Sequence, residues 1–132
     1  MTSVETQTYK ANCHCGQIKL SVILPNLLTT RVNRCNCSIC TRNGYLLVYP
    51  KRNDVSFLSG EDQLSSYRFG NKLKPHMFCP KCGTSMFIDF RESDREDERD
   101  EIAFNIRTIE NIEDILPKLD IGDFDGKKKL GP

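Results

Sequence analysis

Seven cysteines gathered in three tight groups limit what this chain can fold into more than any other feature. They read Cys13-His14-Cys15-Gly16, Cys35-Asn36-Cys37-Ser38-Ile39-Cys40 and Cys79-Pro80-Lys81-Cys82-Gly83. A disulfide framework is the competing reading, but an odd count leaves one thiol over and Cys-x-Cys pairs make strained disulfides. The start, MTSVETQTYK, has no basic segment followed by an apolar run, so no secretory leader is expected. A reducing compartment follows as the expectation, cytoplasmic with a nuclear location left open. Clustered thiols there hold metal rather than cross-link the chain.

The outer two groups combine into one site. In an extended strand, residues i and i+2 project to the same side, so Cys13 and Cys15 can reach one ion together. Cys79-x-x-Cys82-Gly is a knuckle turn in which Gly83 can take a positive φ and let the backbone wrap the ion. Two plus two gives a tetrathiolate, a closed set of the structural zinc type. A redox dithiol at Cys79 and Cys82 would need a helix starting at the motif, whereas the strand-like SMFIDF follows.

The middle group brings three thiolates into six positions. Cys35 and Cys37 share a face at a strand end, and a turn through Ser38-Ile39 carries Cys40 round. Zinc on three protein ligands keeps its fourth position for water or an incoming ligand, which is the catalytic pattern, and soft thiolates suit an incoming thiol. A structural site closed by His14 or His76 is the alternative, since these are the two histidines of the chain.

The rest of the chain reads as all-β with one or two short helical turns. Val, Ile, Tyr, Phe and Thr recur in short runs broken by Gly, Pro, Asn and Asp. Strands are expected at 6–12, 17–23, 30–34, 45–49, 55–59, 64–69, 76–78, 85–90 and 102–108. A short helix is expected at 111–116, capped by Asn111 and stopped by Pro117. Its 132 residues suffice for one domain, with a core over about 6–124 and a basic tail at 125–132 expected to fray. Tyr67 and Phe69 alternate with Arg68 and are expected to face the core. In residues 91–101 every position but Ser93 is charged, which predicts a solvated loop. The longest apolar run is far too short for a membrane span, so no membrane partner is expected. With a net charge of +1, nucleic acid is not an expected partner either, the Lys127–Lys129 run being a weak signal for it.

With these residues in view, the chain resembles the glutathione-dependent formaldehyde-activating enzymes, whose relatives include centromere protein V. The matching segments are CHCGQIKLSV, RCNCSICTRNGY, FLSGEDQLSSYRFG, HMFCPKCGTSMF and AFNIR, running from Cys13 to about Arg107 in the family's order. One departure is Thr84-Ser85-Met86-Phe87, where many members carry a histidine. The resemblance implies a tent-like arrangement of small antiparallel sheets around zinc knuckles. It implies two zinc ions per chain, a structural one on Cys13, Cys15, Cys79 and Cys82 and a second at an active centre on Cys35, Cys37 and Cys40. It further implies a carbon–sulfur lyase that joins glutathione to formaldehyde as S-hydroxymethylglutathione, or cleaves the adduct. A non-catalytic zinc module that binds protein or nucleic acid is the rival reading, as is a zinc store or thiol sensor.

Three thiolates leave a zinc site at net −1, so basic groups nearby would help an anionic thiol to enter. Arg34 and Arg42 flank the middle cysteines, and Arg68, Lys72 and Arg107 come close if their strands converge there. Ordinary surface charge is the simpler reading of each.

Overall fold

The computed structural model describes residues 5–129, and the chain runs through ten strands among them. These are β1 (Thr6–Asn12), β2 (Lys19–Pro25), β3 (Arg31–Cys35), β4 (Leu47–Val48), β5 (Val55–Ser59), β6 (Ser65–Tyr67), β7 (His76–Phe78), β8 (Ser85–Asp89), β9 (Ile102–Asn105) and β10 (Asp120–Phe124). Two short α-helices, α1 (Ser38–Asn43) and α2 (Gly126–Lys129), and several 3₁₀ turns complete the described residues. No helix among them is long and apolar enough to cross a membrane.

Alternation builds the first sheet. Leu20, Val22 and Leu24 of β2 are buried while Lys19, Ile23 and Pro25 are exposed, the signature of a strand with one dry face. β2 pairs antiparallel with β1 on one side and β5 on the other, giving the order β1-β2-β5. The second sheet has seven strands in the order β10-β3-β4-β9-β8-β7-β6. Its pairs are antiparallel except β10 with β3, which run parallel. β9 lies in the middle of this sheet, and all four of its residues, Ile-Ala-Phe-Asn, are buried. Burial on both faces is why Ile102, Ala103 and Phe104 are apolar in succession rather than alternating with polar residues.

The pleat of the large sheet sorts side chains into two clusters. Ile102 and Phe104 of β9, Val48 of β4 and Val32 of β3 join the main core with Leu20, Val22 and Ile18. Their neighbours Ala103 and Leu47 join a smaller cluster with Cys35, Cys40, Tyr45 and Ile88. Successive residues of a strand point to opposite faces, so the two clusters lie on opposite sides of the large sheet. Each fully buried Leu, Val or Phe adds roughly 1.5–3 kcal/mol of apolar transfer. Cys13 and Cys79 belong to the main core, and Cys35 and Cys40 to the smaller cluster. A single sheet thus separates the two cysteine sets.

The chain is mostly β with two sheets, as expected, though the second sheet is larger than anticipated and carries one parallel pair. The strand expected at 45–49 narrows to Leu47–Val48, and that at 64–69 to Ser65–Tyr67. The run 102–108 stops being a strand at Asn105, whose side-chain oxygen accepts the Arg107 N–H and starts a 3₁₀ turn. The helix expected at 111–116 is two 3₁₀ turns, Ile112–Asp114 and Leu116–Lys118. Asn111 sits at φ 61°, in left-handed geometry where it makes no side-chain cap. Residues 120–124, expected to carry no element, form β10, and 126–129, expected to fray, form α2.

Candidate functional site

Cys13 and Cys15 lie in a turn after β1, not in the extended strand expected for them, while Cys79 and Cys82 lie between β7 and β8, so the first set joins the two sheets. Gly83 takes φ 82° and donates its N–H to the Cys79 carbonyl at 2.7 Å, closing the knuckle. The Ile18 N–H points at Cys13 Sγ, 3.2 Å away. Cys13 Sγ and Cys15 Sγ are 3.6 Å apart, and Cys15 Sγ and Cys79 Sγ 3.7 Å. A regular tetrahedron with metal–sulfur bonds of 2.3 Å has sulfur–sulfur edges of about 3.8 Å. The spacing therefore fits one ion among four sulfurs and is far too long for a disulfide; all seven cysteines are free. Thr84, the residue after Gly83, ties this set together. Its Oγ1 lies 3.2 Å from Cys82 Sγ and accepts the His14 N–H at 3.1 Å. That hydroxyl, ahead of other contacts, holds the Cys82 thiol down at about 5.

The second set is built by β3, α1 and the C-terminal segment. β3 delivers Cys35. Cys37 takes the extended N-cap position of α1 (φ −63°, ψ 164°), and Cys40 follows within the first turn. Gly44 ends the helix in left-handed geometry, its N–H on the Cys40 carbonyl. The turn expected at Ser38-Ile39 is thus the start of a helix, and Asn43-Gly44 is its C-terminus. All three sulfurs lie within 4.8 Å of one another. Burial pushes the Cys37 thiol up, but backbone N–H groups of Cys40 and Ile39 and the neighbouring thiols outweigh it, and the net shift is downward. Cys40 is pushed up, first by burial and then by Cys37, and Cys35 is pushed up mainly by burial. Cys35 and Cys40 thus resist ionising beside Cys37, and a bound cation would favour the ionised form of all three. Both sets could hold a metal ion on these grounds.

The C-terminal segment closes over the second set. β10 pairs with β3 so that Phe124 lies beside Cys35, and the Asn36 N–H donates to the Phe124 carbonyl at 3.1 Å. The Asn36 side chain donates to Asp125 Oδ1 at 3.0 Å and accepts the Lys127 N–H at 2.9 Å. A methyl group on Gly126 would overlap Cys35 Sγ and sit 3.5 Å from Cys37 Cβ. Gly126→Ala is accordingly expected to weaken metal binding at this cluster by roughly 10–100-fold, as when a ligand's supporting shell is disturbed. Chelator competition would read the change, with the tetrathiolate keeping its ion, and wild-type affinity would contradict the packing argument.

Cys35, Cys37 and Cys40 line a cavity of about 610 Å³ together with Tyr49, Phe69, His76, Phe90, Phe124, Lys74 and Arg95. His76 is buried, its Nδ1 is 2.9 Å from Tyr45 Oη, and burial holds it down at about 4, so its ring is neutral at pH 7. Neither histidine falls within either cysteine set: His14 is exposed, and His76 lines the cavity with its Nδ1 facing Tyr45 Oη.

None of the five basic residues suspected from sequence lines the cavity. Arg34 pairs with Asp123 at 2.7 Å, Arg68 with Glu92 at 2.9 Å, Arg42 with the Ser38 carbonyl and Arg107 with the Gly44 carbonyl, while Lys72 offers its carbonyl to Arg68. The cations at the cavity are Lys74 and Arg95, held by Glu98 at 3.3 and 3.4 Å. Glu98 is buried and accepts the Ser93 hydroxyl. Part of the charged 91–101 stretch is therefore an anchored loop that brings Arg95 to the site, not only a solvated connection. The one uncharged residue of that run, Ser93, is fully buried and was the available signal. Tyr67 and Phe69, expected in the core, are exposed because β6 is the last strand of its sheet and no layer covers it. Phe69 instead lines the cavity.

The fold is similar to that of a Rhodobacter sphaeroides protein solved by crystallography, with a TM-score of 0.65 and 29% identity over 77% of this chain and 88% of that one. The family model of the glutathione-dependent formaldehyde-activating enzyme matches residues 8–121, a span that takes in all seven cysteines and nearly the whole described chain. By that match the chain belongs to the glutathione-dependent formaldehyde-activating enzyme family.

Proposed function

We propose that this chain is a carbon–sulfur lyase that reversibly joins the thiol of glutathione to formaldehyde, with S-hydroxymethylglutathione as the adduct. The observation that carries the reading is that three cysteine residues line one cavity with two cationic side chains and a neutral histidine. In this reading zinc occupies both sets, a structural ion on Cys13, Cys15, Cys79 and Cys82 and a catalytic one on Cys35, Cys37 and Cys40. Zinc at the three-sulfur set would supply Lewis acidity and lower the pKa of an incoming thiol.

The remaining steps belong to the chain's own residues. Lys74 and Arg95 attract the carboxylates of glutathione, and their ion pairs with Glu98 fix where they stand. The sulfur lone pair forms the new bond to the carbonyl carbon, and the carbonyl π pair moves to oxygen. The thiol's proton ends on that oxygen. His76, with Nδ1 held by Tyr45, has Nε2 left to carry it. The reverse reaction returns the proton and breaks the carbon–sulfur bond, with no change of oxidation state.

Exchange spectroscopy on ¹³C-formaldehyde with millimolar glutathione tests the proposal. Faster exchange between free and glutathione-bound formaldehyde is expected with the metal-loaded chain, together with two zinc ions by native mass spectrometry. A fully loaded chain that leaves the exchange rate at its background value would sink it. Arg95→Ala is expected to raise the KM for glutathione about 3–10-fold with kcat nearly unchanged. A charge-assisted contact is worth about 1.5–3 kcal/mol when dry, and the Arg95 side chain is 63% exposed, so screening keeps the loss small.

A further inference from the structure

The cavity holds more apolar surface than the proposed reaction uses. A hydroxymethyl group is one carbon and one oxygen, and the glutathione moiety is charged at its ends. Neither explains the aromatic side chains that line the space beside the three sulfurs: Tyr49, Phe69, Phe90 and Phe124. Two of these remain substantially open to water, Tyr49 at 42% and Phe69 at 41%. They are nonetheless held in place. Tyr49 stacks on Phe90 with centroids 6.5 Å apart and bonds Asn33 through its hydroxyl at 2.6 Å. Phe69 packs on the His76 ring at 5.4 Å and on Tyr67 at 5.5 Å. It sits in a built turn, with Gly70 and Lys72 both at positive φ and the Lys72 carbonyl bound by Arg68. Fixed aromatic faces that the fold itself leaves wet match an apolar ligand group, because covering them removes that surface from water at no ordering cost to the protein.

We propose that, beyond formaldehyde, this site takes as its carbonyl partner an aldehyde with an aromatic or similarly bulky apolar substituent, so that it also handles the hemithioacetal of glutathione with that aldehyde. This rests on the thiol–carbonyl reading above and names the substrate class for it. The bond changes are those already given. Sulfur adds to the aldehyde carbon, the thiol proton ends on the new hydroxyl, and the substituent takes no part except to lie against Phe69 and Tyr49. The charged ends of the tripeptide keep Lys74 and Arg95, and the apolar group takes the aromatic wall. The two halves of the lining are thus each assigned a partner of matching chemistry.

Unreactive thioethers test the wall apart from turnover. Calorimetry on the zinc-loaded full chain is expected to give S-benzylglutathione a Kd about 10-fold below that of S-methylglutathione, since partial burial of one ring suffices for that ratio. Phe69→Ala is expected to shrink the ratio to about 2-fold, an effect of the lost contact area. Leu58→Ala, at a residue 60% exposed and absent from the cavity lining, is the control and is expected to leave the ratio at its wild-type value. Equal affinity of the two thioethers, or a ratio that survives Phe69→Ala, overturns the substrate class. Formaldehyde exchange measured on the same preparation separates the two readings. Catalysed exchange with equal thioether affinities leaves the thiol–carbonyl reading standing without the bulky aldehyde. No catalysed exchange and no thioether binding removes both.

Discussion

Cys79→Ser is expected to leave a chain that does not fold. Cys79 is fully buried in the main core, and its set joins a sheet that contains β1 to one that contains β7 and β8. Structural zinc in small domains contributes about 10–16 kcal/mol of binding free energy at neutral pH. The whole stability of a domain is about 5–15 kcal/mol. Loss of one of four ligands, even if it removes only part of that binding, is comparable with everything that holds the chain together. Serine also places a hydroxyl where the fold buries a sulfur, beside Cys15 Sγ at 3.7 Å. Circular dichroism and the soluble fraction after expression check the outcome, and strong chelation of the wild type should reproduce it. A variant that melts within a few degrees of the wild type would mean that packing between the sheets, not the tetrathiolate, holds them.

The opposite division of effects is expected for Cys37→Ser, namely a folded chain with one metal and no measurable catalysis of exchange. Cys37 is half-buried at the N-cap of α1, and serine is among the best residues there, so the helix is kept and its end better satisfied. The smaller cluster around Cys35, Cys40, Tyr45 and Leu47 lies on the far side of the large sheet from the main core, so its loss of a sulfur does not open that core. A bound ion acting as Lewis acid is worth several kcal/mol at the transition state, which corresponds to a rate loss on the order of 10³ or more. Metal count by native mass spectrometry and the exchange rate are read on one sample. A variant that keeps both ions, or that melts like Cys79→Ser, would show that the two sets do not divide as structural and catalytic.

These effects are opposite although the two sets use the same side chain, and the reason is where each set sits. One set bridges two sheets. The other decorates a single sheet beside a cavity and is closed over by β10 and α2. The Asn36 contacts to Asp125 and Lys127 are the link, and they explain how residues so late in the chain come to support the middle cysteines.

The three cysteine groups and the mostly-β class were legible in the sequence because both depend on neighbours a few residues apart. A turn after β1 holds Cys13 and Cys15 together, a glycine at positive φ bends the Cys79–Cys82 turn, and three sulfurs within one short stretch cannot avoid one another. α1 was not legible, since six residues hold less than two turns of apolar period, and its boundaries come from the Cys37 cap and Gly44. β10 was not expected as a strand and α2 was read as tail because DIGDFDGKKK shows no alternation; their stability comes from parallel pairing with β3 and from Asn36, contacts far away in the chain. The cations of the site were misassigned for a related reason. Charge in a sequence does not say which side chain will find a partner, and Arg34 and Arg68 were claimed by Asp123 and Glu92 while buried Glu98 drew Lys74 and Arg95 to the cavity. Tyr67 and Phe69 have the period of a core strand, but only the strand order says that β6 is an edge with nothing packed outside it. Sequence alone therefore determined which sulfurs are close enough along the chain to share an ion, a matter of local geometry, while tertiary structure decided which groups meet and what surrounds them, because that depends on which distant segments compete for the same surface.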